Sequence, residues 1–89
     1  MHTKTKIVEV TDAEMWTLLL SSVRYALRRR TYITALTSDI VLKHKHRLQP
    51  HQRRQIAREV HQELEAGQGG DDCDIRAWRA LVAGLLEDT

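Results

Sequence analysis

Apolar residues return at helical spacing in four separate stretches of this 89-residue chain, and that rhythm restricts it to a helical bundle. Trp16, Leu19, Leu20, Val23 and Leu27 form one stripe, on a helix expected over 12–30. Thr11 or Asp12 opens that helix, Glu14 adds negative charge to its first turn, and Arg28, Arg29 and Arg30 close it. Thr31 is a plausible cap for a second helix. Its stripe is Ile33, Leu36, Ile40 and Val41, with Thr37 near the same face. A strand over 32–36 is the alternative there, because the segment is rich in β-branched residues. Pro50 fits the first turn of a third helix, which buries Ile56, Ala57, Val60 and Leu64 and ends at Gly67. Asp74 is a good cap for a fourth, with the stripe Ile75, Trp78, Leu81, Val82, Leu85 and Leu86. No heptad is sustained, so a long coiled coil is not expected. The expected fold is all-α: a compact bundle of three or four short amphipathic helices.

The length allows one domain with a small core. Residues 11–89 form the helical domain. Residues 1–10 read as a flexible segment or a short edge strand, since Ile7, Val8 and Val10 alternate only weakly. Phe is absent, so aliphatic residues and the two Trp must fill the core. Cys73 is the only cysteine, which rules out an intrachain disulfide. The first ten residues lack an apolar run, so no signal peptide is expected there, and no stretch approaches the ~20 apolar residues that cross a bilayer. A cytoplasmic protein with no membrane contact is the expectation.

Charge divides along the chain. Residues 1–58 carry twelve Lys/Arg against four Asp/Glu, a net of +8, and residues 59–89 carry two against eight, a net of −6. Two basic clusters follow. The first is Arg24, Arg28, Arg29 and Arg30. The second runs KHKHRLQPHQRR over 43–54 and contains Lys43, Lys45, Arg47, Arg53 and Arg54. Helical rise places them about 15–20 Å apart. Tyr25 and Tyr32 stand beside the first cluster, where they can stack on bases or on a partner's side chains. Together these eleven residues are the candidate contact surface. Such a surface can bind phosphates, with salt-sensitive affinity, or an acidic protein. It can equally be a solvated face balanced by the acidic half. The link near 43–50 is longer than the turn of an ordinary helix-turn-helix and has no glycine, so a protein partner is favoured over DNA or RNA. Homodimerisation is also open, through head-to-tail pairing of oppositely charged halves.

Chemistry-bearing motifs are weak. His44 and His46 do not share a helix face, His51 and His61 lie apart, and Cys73 has no CxxC companion, so no metal site or cofactor is expected. Asp71, Asp72 and Asp74 are explained as helix-start residues. Carboxylates beside Cys73 oppose its ionisation. No HExxH, P-loop or GxSxG occurs. A catalytic function is not expected.

The stretch RYALRRRTYITALTSDIV, residues 24–41, resembles small proteins of tailed bacteriophages that carry a Trp-containing first helix, a RYALGRRTY-like motif and a later CD…W…L pattern. The matching residues are Trp16, Arg24 to Leu27, Arg29 to Tyr32, Cys73, Asp74, Trp78 and Leu81. Arg28 stands where that pattern usually has glycine. The resemblance covers about two thirds of the chain. It implies a phage or prophage origin, the cytoplasm of a bacterial host, and a non-enzymatic protein that occupies a host or viral macromolecular surface. Inhibitors of bacterial CRISPR defence are one such class. Direct nucleic-acid binding through residues 24–54 is the alternative.

Overall fold

A computed structural model describes residues 9–29 and 33–87, and all regular structure among them is helical. Four α-helices follow in order: α1 (Asp12–Arg29), α2 (Thr34–His44), α3 (Pro50–Glu65) and α4 (Asp72–Leu86). A 3₁₀ turn at Lys45–Arg47 prolongs α2 towards α3. The all-α bundle expected from periodicity is the fold. The readings of residues 1–8, of Thr31 as a cap and of Tyr32 lie outside the described residues.

Helix boundaries follow from local chemistry. The Thr11 hydroxyl accepts from the Glu14 N–H (3.1 Å) and a Glu14 carboxylate oxygen accepts from the Thr11 N–H (2.9 Å), a reciprocal capping box. Pro50 stands at the start of α3, where its missing N–H breaks no helical bond. Gly67, at φ +76°, ends α3. The Gly67 N–H donates to the Leu64 carbonyl and the Gln68 N–H to the Glu63 carbonyl, the pairing of a left-handed helix stop. The cap of α4 is Asp71, three residues before the expected Asp74. Asp71 Oδ1 accepts from the Asp74 N–H at 2.9 Å, and the Asp74 carboxylate reaches back towards the Asp71 N–H. The two-sided spacing selects Asp71.

Two helical hairpins pack together. Arg47, just past α2, bonds to Asp12 at the start of α1, so α1 and α2 are antiparallel. Arg54 shares a cleft with Leu86, and Glu65 shares one with Arg79, so α3 and α4 are antiparallel too. Between hairpins, α2 lies against α4 and α1 against α3. Ser38, Leu42 and Lys45 meet Ala77, Gly84 and Glu87 in the same chain order, which makes α2 and α4 parallel. The core is Met15, Leu19, Val23, Ala26 and Leu27 of α1, Val41 of α2, Leu48, Ile56, Ala57 and Val60, and Trp78, Leu81 and Leu85 of α4. Trp78 is 1% exposed, as its stripe predicts. Trp16 and Leu20 are only partly buried, because Met15 and Ala26 centre the buried arc of α1 one position away.

The face that α2 buries differs from the expected stripe. Thr34, Thr37, Ser38 and Val41 are buried, whereas Leu36 and Ile40 are 59% and 41% exposed. The cause is close helix–helix approach. A Cβ on Gly84 would stand 2.4 Å from Leu42 Cδ2, so a larger residue there would force the Leu42 side chain to shift. Ser38 Oγ donates to the Ala77 carbonyl at 3.2 Å on the same seam. Small residues belong where two helix backbones draw together, and turning Leu36 inward would lift Leu42 off Gly84. Replacing Gly84 by Leu is therefore expected to lower stability by about 1–3 kcal/mol in urea unfolding. Adding Leu42→Ala should recover part of that loss. Unchanged stability of the Gly84→Leu protein would contradict this packing.

Candidate functional site

Four of the eleven predicted contact residues are occupied inside the fold. Arg24 grips Glu59 across α1 and α3 with a two-pronged bond, Nε to Oε1 at 2.8 Å and Nη2 to Oε2 at 2.7 Å. Lys45 Nζ donates to the Gly84 carbonyl (2.8 Å) and to Glu87 (2.9 Å) at the C-terminal end of α4, where a cation suits the helix dipole. Arg47 donates to Asp12 Oδ1 at 3.0 Å and to the Val10 carbonyl. Arg53 Nη1 donates to the carbonyls of Leu48 (2.9 Å) and Lys45 (3.3 Å), closing the turn into α3.

The rest of the prediction stays on the surface. Arg28, Lys43 and Arg54 are exposed and make no ion pair with a described residue. Tyr25 is 53% exposed, and the Arg29 guanidinium lies over its ring, 5.2 Å from the centroid. Arg30 and Tyr32 lie outside the described residues. The two clusters occupy opposite ends of the bundle. Arg47 is anchored at Asp12 and Arg28 is sixteen positions along α1, about 24 Å of helical rise rather than 15–20 Å. One continuous basic face is not what the fold assembles. Around the first cluster, Arg24 and Arg28 share a cleft of about 500 Å³ with Glu59 and Glu63, so both signs of charge meet there.

A different cationic surface forms between α3 and α4. Arg54, Arg58 and His61 follow one another at spacings of four and three on α3, which puts them on one helix face. They border a cleft of about 460 Å³ floored by Ala57, Val82 and Leu86. It continues past His61 into a second cleft of about 530 Å³, where Leu64 and Ala83 add apolar lining and Arg79 supplies the opposite rim. Arg54, Arg58 and Arg79 make no hydrogen bond or ion pair with a described residue. His61 Nε2 lies 3.2 Å from Glu65, the one carboxylate among the described residues that line the groove. Arg58, His61 and Arg79 were absent from the sequence prediction. The i, i+4, i+7 spacing was available as a signal on α3. Arg79 was hidden by the acidic total of its half.

Among the described residues no group of three or more His, Cys, Asp or Glu side chains converges as a metal site. Cys73 is exposed. No helix among the described residues is long and apolar enough to cross a membrane.

Two experiments separate fixed from free cations. Arg53→Ala is expected to lower stability by about 1.5–3 kcal/mol, through loss of charged hydrogen bonds to two carbonyls. Arg54→Ala should stay within about 0.5 kcal/mol of the parent. Equal effects in thermal or urea unfolding would contradict this division. The second concerns Glu59, whose carboxyl is held below its ordinary value of 4.5, first by the Arg24 hydrogen bond. A carboxylate with a lowered value stabilises the fold fully above its unfolded pKa and loses that contribution as pH falls through the folded one. The stability difference between parent and Glu59→Gln should therefore be full at neutral pH and shrink below about pH 4.5. A difference constant with pH would contradict the pairing.

No protein-family model matches this chain, and comparison with curated proteins and with solved structures finds no match to either.

Proposed function

We propose that this protein is a non-enzymatic binding module whose α3/α4 groove takes an acidic amphipathic segment of a partner protein. The observation that carries the reading is the combination within one groove. Arg54, Arg58 and Arg79 make no hydrogen bond or ion pair with a described residue, and Ala57, Leu64, Val82 and Leu86 line an apolar floor between them. A helix presenting Leu-like residues to the floor and carboxylates to the rims satisfies both features. Nucleic acid satisfies only the rims, since a phosphate backbone gains little from an aliphatic floor. The dispersal of the other predicted cations also favours a protein partner: Arg24, Lys45, Arg47 and Arg53 already hold groups of the fold.

The resemblance to small tailed-phage proteins makes a macromolecule of a bacterial host cytoplasm the first class of partner to consider. Masking an acidic surface of a defence complex, including a CRISPR effector, is the sharper form of the same proposal. Direct binding of DNA or RNA by the basic residues of 24–54 is the second reading, supported by exposed Arg28, Lys43 and Arg54.

The test is an NMR titration of the labelled protein with a synthetic amphipathic helix bearing Glu on one face and Leu on the other. Shifts should concentrate on residues 54–65 and 79–86. Reversing Arg54, Arg58 and Arg79 to Glu should weaken binding at least about tenfold while the fold is kept. Parallel titrations with duplex and single-stranded DNA and RNA test the second reading. Shifts of these residues by nucleic acid alone, with steep salt dependence, would replace the proposal. Peptide binding unaffected by the three reversals would refute it.

A further inference from the structure

The outward face of α1, opposite its core stripe, carries an ordered series of exposed residues: Glu14, Leu18, Ser21, Ser22, Tyr25, Arg28 and Arg29. At 100° per residue all seven fall within about 120° of arc. Leu18 and Tyr25 are each 53% exposed, so this helix is apolar on both sides. Beside them, Leu18, Ser21, Ser22 and Tyr25 share a cleft of about 370 Å³ with Ile33 and Thr37 of the α2 hairpin arm. Leu36 and Ile40 are exposed on the adjoining edge of α2. A monomer leaves this apolar seam in water, where covering it lowers free energy.

The order of the series is self-complementary. Take the midpoint between Ser21 and Ser22 as a two-fold centre. Leu18 then lies opposite Tyr25 of an antiparallel copy, and Glu14 lies opposite Arg29, with Arg28 one position away. The centre is small, so two helix backbones can approach closely there. The Ser22 hydroxyl already donates to the Leu18 carbonyl at 2.8 Å and would bring no unpaired donor into the contact. At the ends the charges are opposite. Glu14 uses Oε1 for the Thr11 cap, and Oε2 accepts no hydrogen bond from a described residue. The seam from Glu14 to Arg29 is about 22 Å long, by helical rise.

We infer that the protein forms a two-fold homodimer by antiparallel packing of α1 on α1 of a second copy, with Glu14 of each copy paired to Arg28 and Arg29 of the other. This surface is separate from the α3/α4 groove, so a dimer presents two grooves. The interface is isologous, with one patch meeting itself. It differs from head-to-tail pairing of the acidic and basic halves of the chain.

Charge reversal in two separate chains tests it. Glu14→Arg puts Arg against Arg28 and Arg29 at both ends of its own dimer. Arg28→Glu with Arg29→Glu puts Glu against Glu14. Each variant alone should dimerise at least about tenfold more weakly than the parent in analytical ultracentrifugation at low salt. Mixed in equal amounts, they should form the heterodimer, because both ends then pair opposite charges. Loss of the Thr11 cap in Glu14→Arg cannot mimic this result, since a folding defect leaves the mixture as monomeric as its parts. Circular dichroism checks that each variant is helical. A parent protein monomeric at about 500 μM would overturn the inference. So would a dimer indifferent to these reversals, or a mixture no more associated than its components.

Discussion

The close approach of α2 to α4 at Gly84 fixes the rest of the bundle. Leu42 occupies the space a Cβ would need, and Ser38 and Lys45 bond to α4 backbone carbonyls on either side of it. That seam sets the rotation of α2. Once set, it buries Thr34, Thr37 and Ser38 and turns Leu36 and Ile40 outward. It also carries the 3₁₀ turn at Lys45–Arg47 to the end of α1, where Arg47 reaches Asp12 and the Val10 carbonyl. A helix with one fully buried aliphatic side chain, Val41, is thus held by packing and hydrogen bonds more than by its own amphipathicity.

Basic residues in this chain fall into two sets, and position in the fold separates them. Those bonded to a carbonyl or a carboxylate of the fold are part of the scaffold: Arg24, Lys45, Arg47 and Arg53. Those on outward faces, such as Arg28, Lys43 and Arg54, make no ion pair with a described residue. A surface pair such as Lys45–Glu87 adds little stability alone. Its value here is geometric, since Lys45 also caps the carbonyl of Gly84 at the seam that orients α2. The charge split of the sequence therefore does not persist as two charged lobes. Parallel packing of α1 on α3 sets Arg24 and Arg28 beside Glu59 and Glu63, while Arg79 joins Arg54 and Arg58 across the α3/α4 groove.

Much of the fold was legible in the sequence because the signals were local. Pro50 and Gly67 bracket α3, and the stripes on α3 and α4 name most of the residues that pack, with Trp78 at the centre, whereas Leu86, at the last turn of its stripe, is 40% exposed and Ile75 lies outside the core. The cap of α4 required one more local rule, the reciprocal spacing of Asp71 and Asp74. The buried face of α2 was not legible. Its apolar pattern points one way, and a glycine more than forty positions later decides the matter. The same holds for the candidate site. Arg24 and Arg47 find their partners 35 positions away and Lys45 finds Gly84 39 positions away, separations that no local pattern announces. The α3 half of the cationic groove was readable from spacing. Its α4 half depended on the antiparallel packing of the second hairpin.

The orientation of α2 is the central claim, and a methyl-resolved NOE experiment addresses it directly. The account predicts a strong NOE between the Leu42 δ-methyls and the Gly84 α-protons, with none from Leu36 methyls to α4. An absent Leu42–Gly84 contact, together with Leu36 methyl contacts to Trp78 or Leu81, would show α2 rotated onto its apolar stripe and would contradict the account.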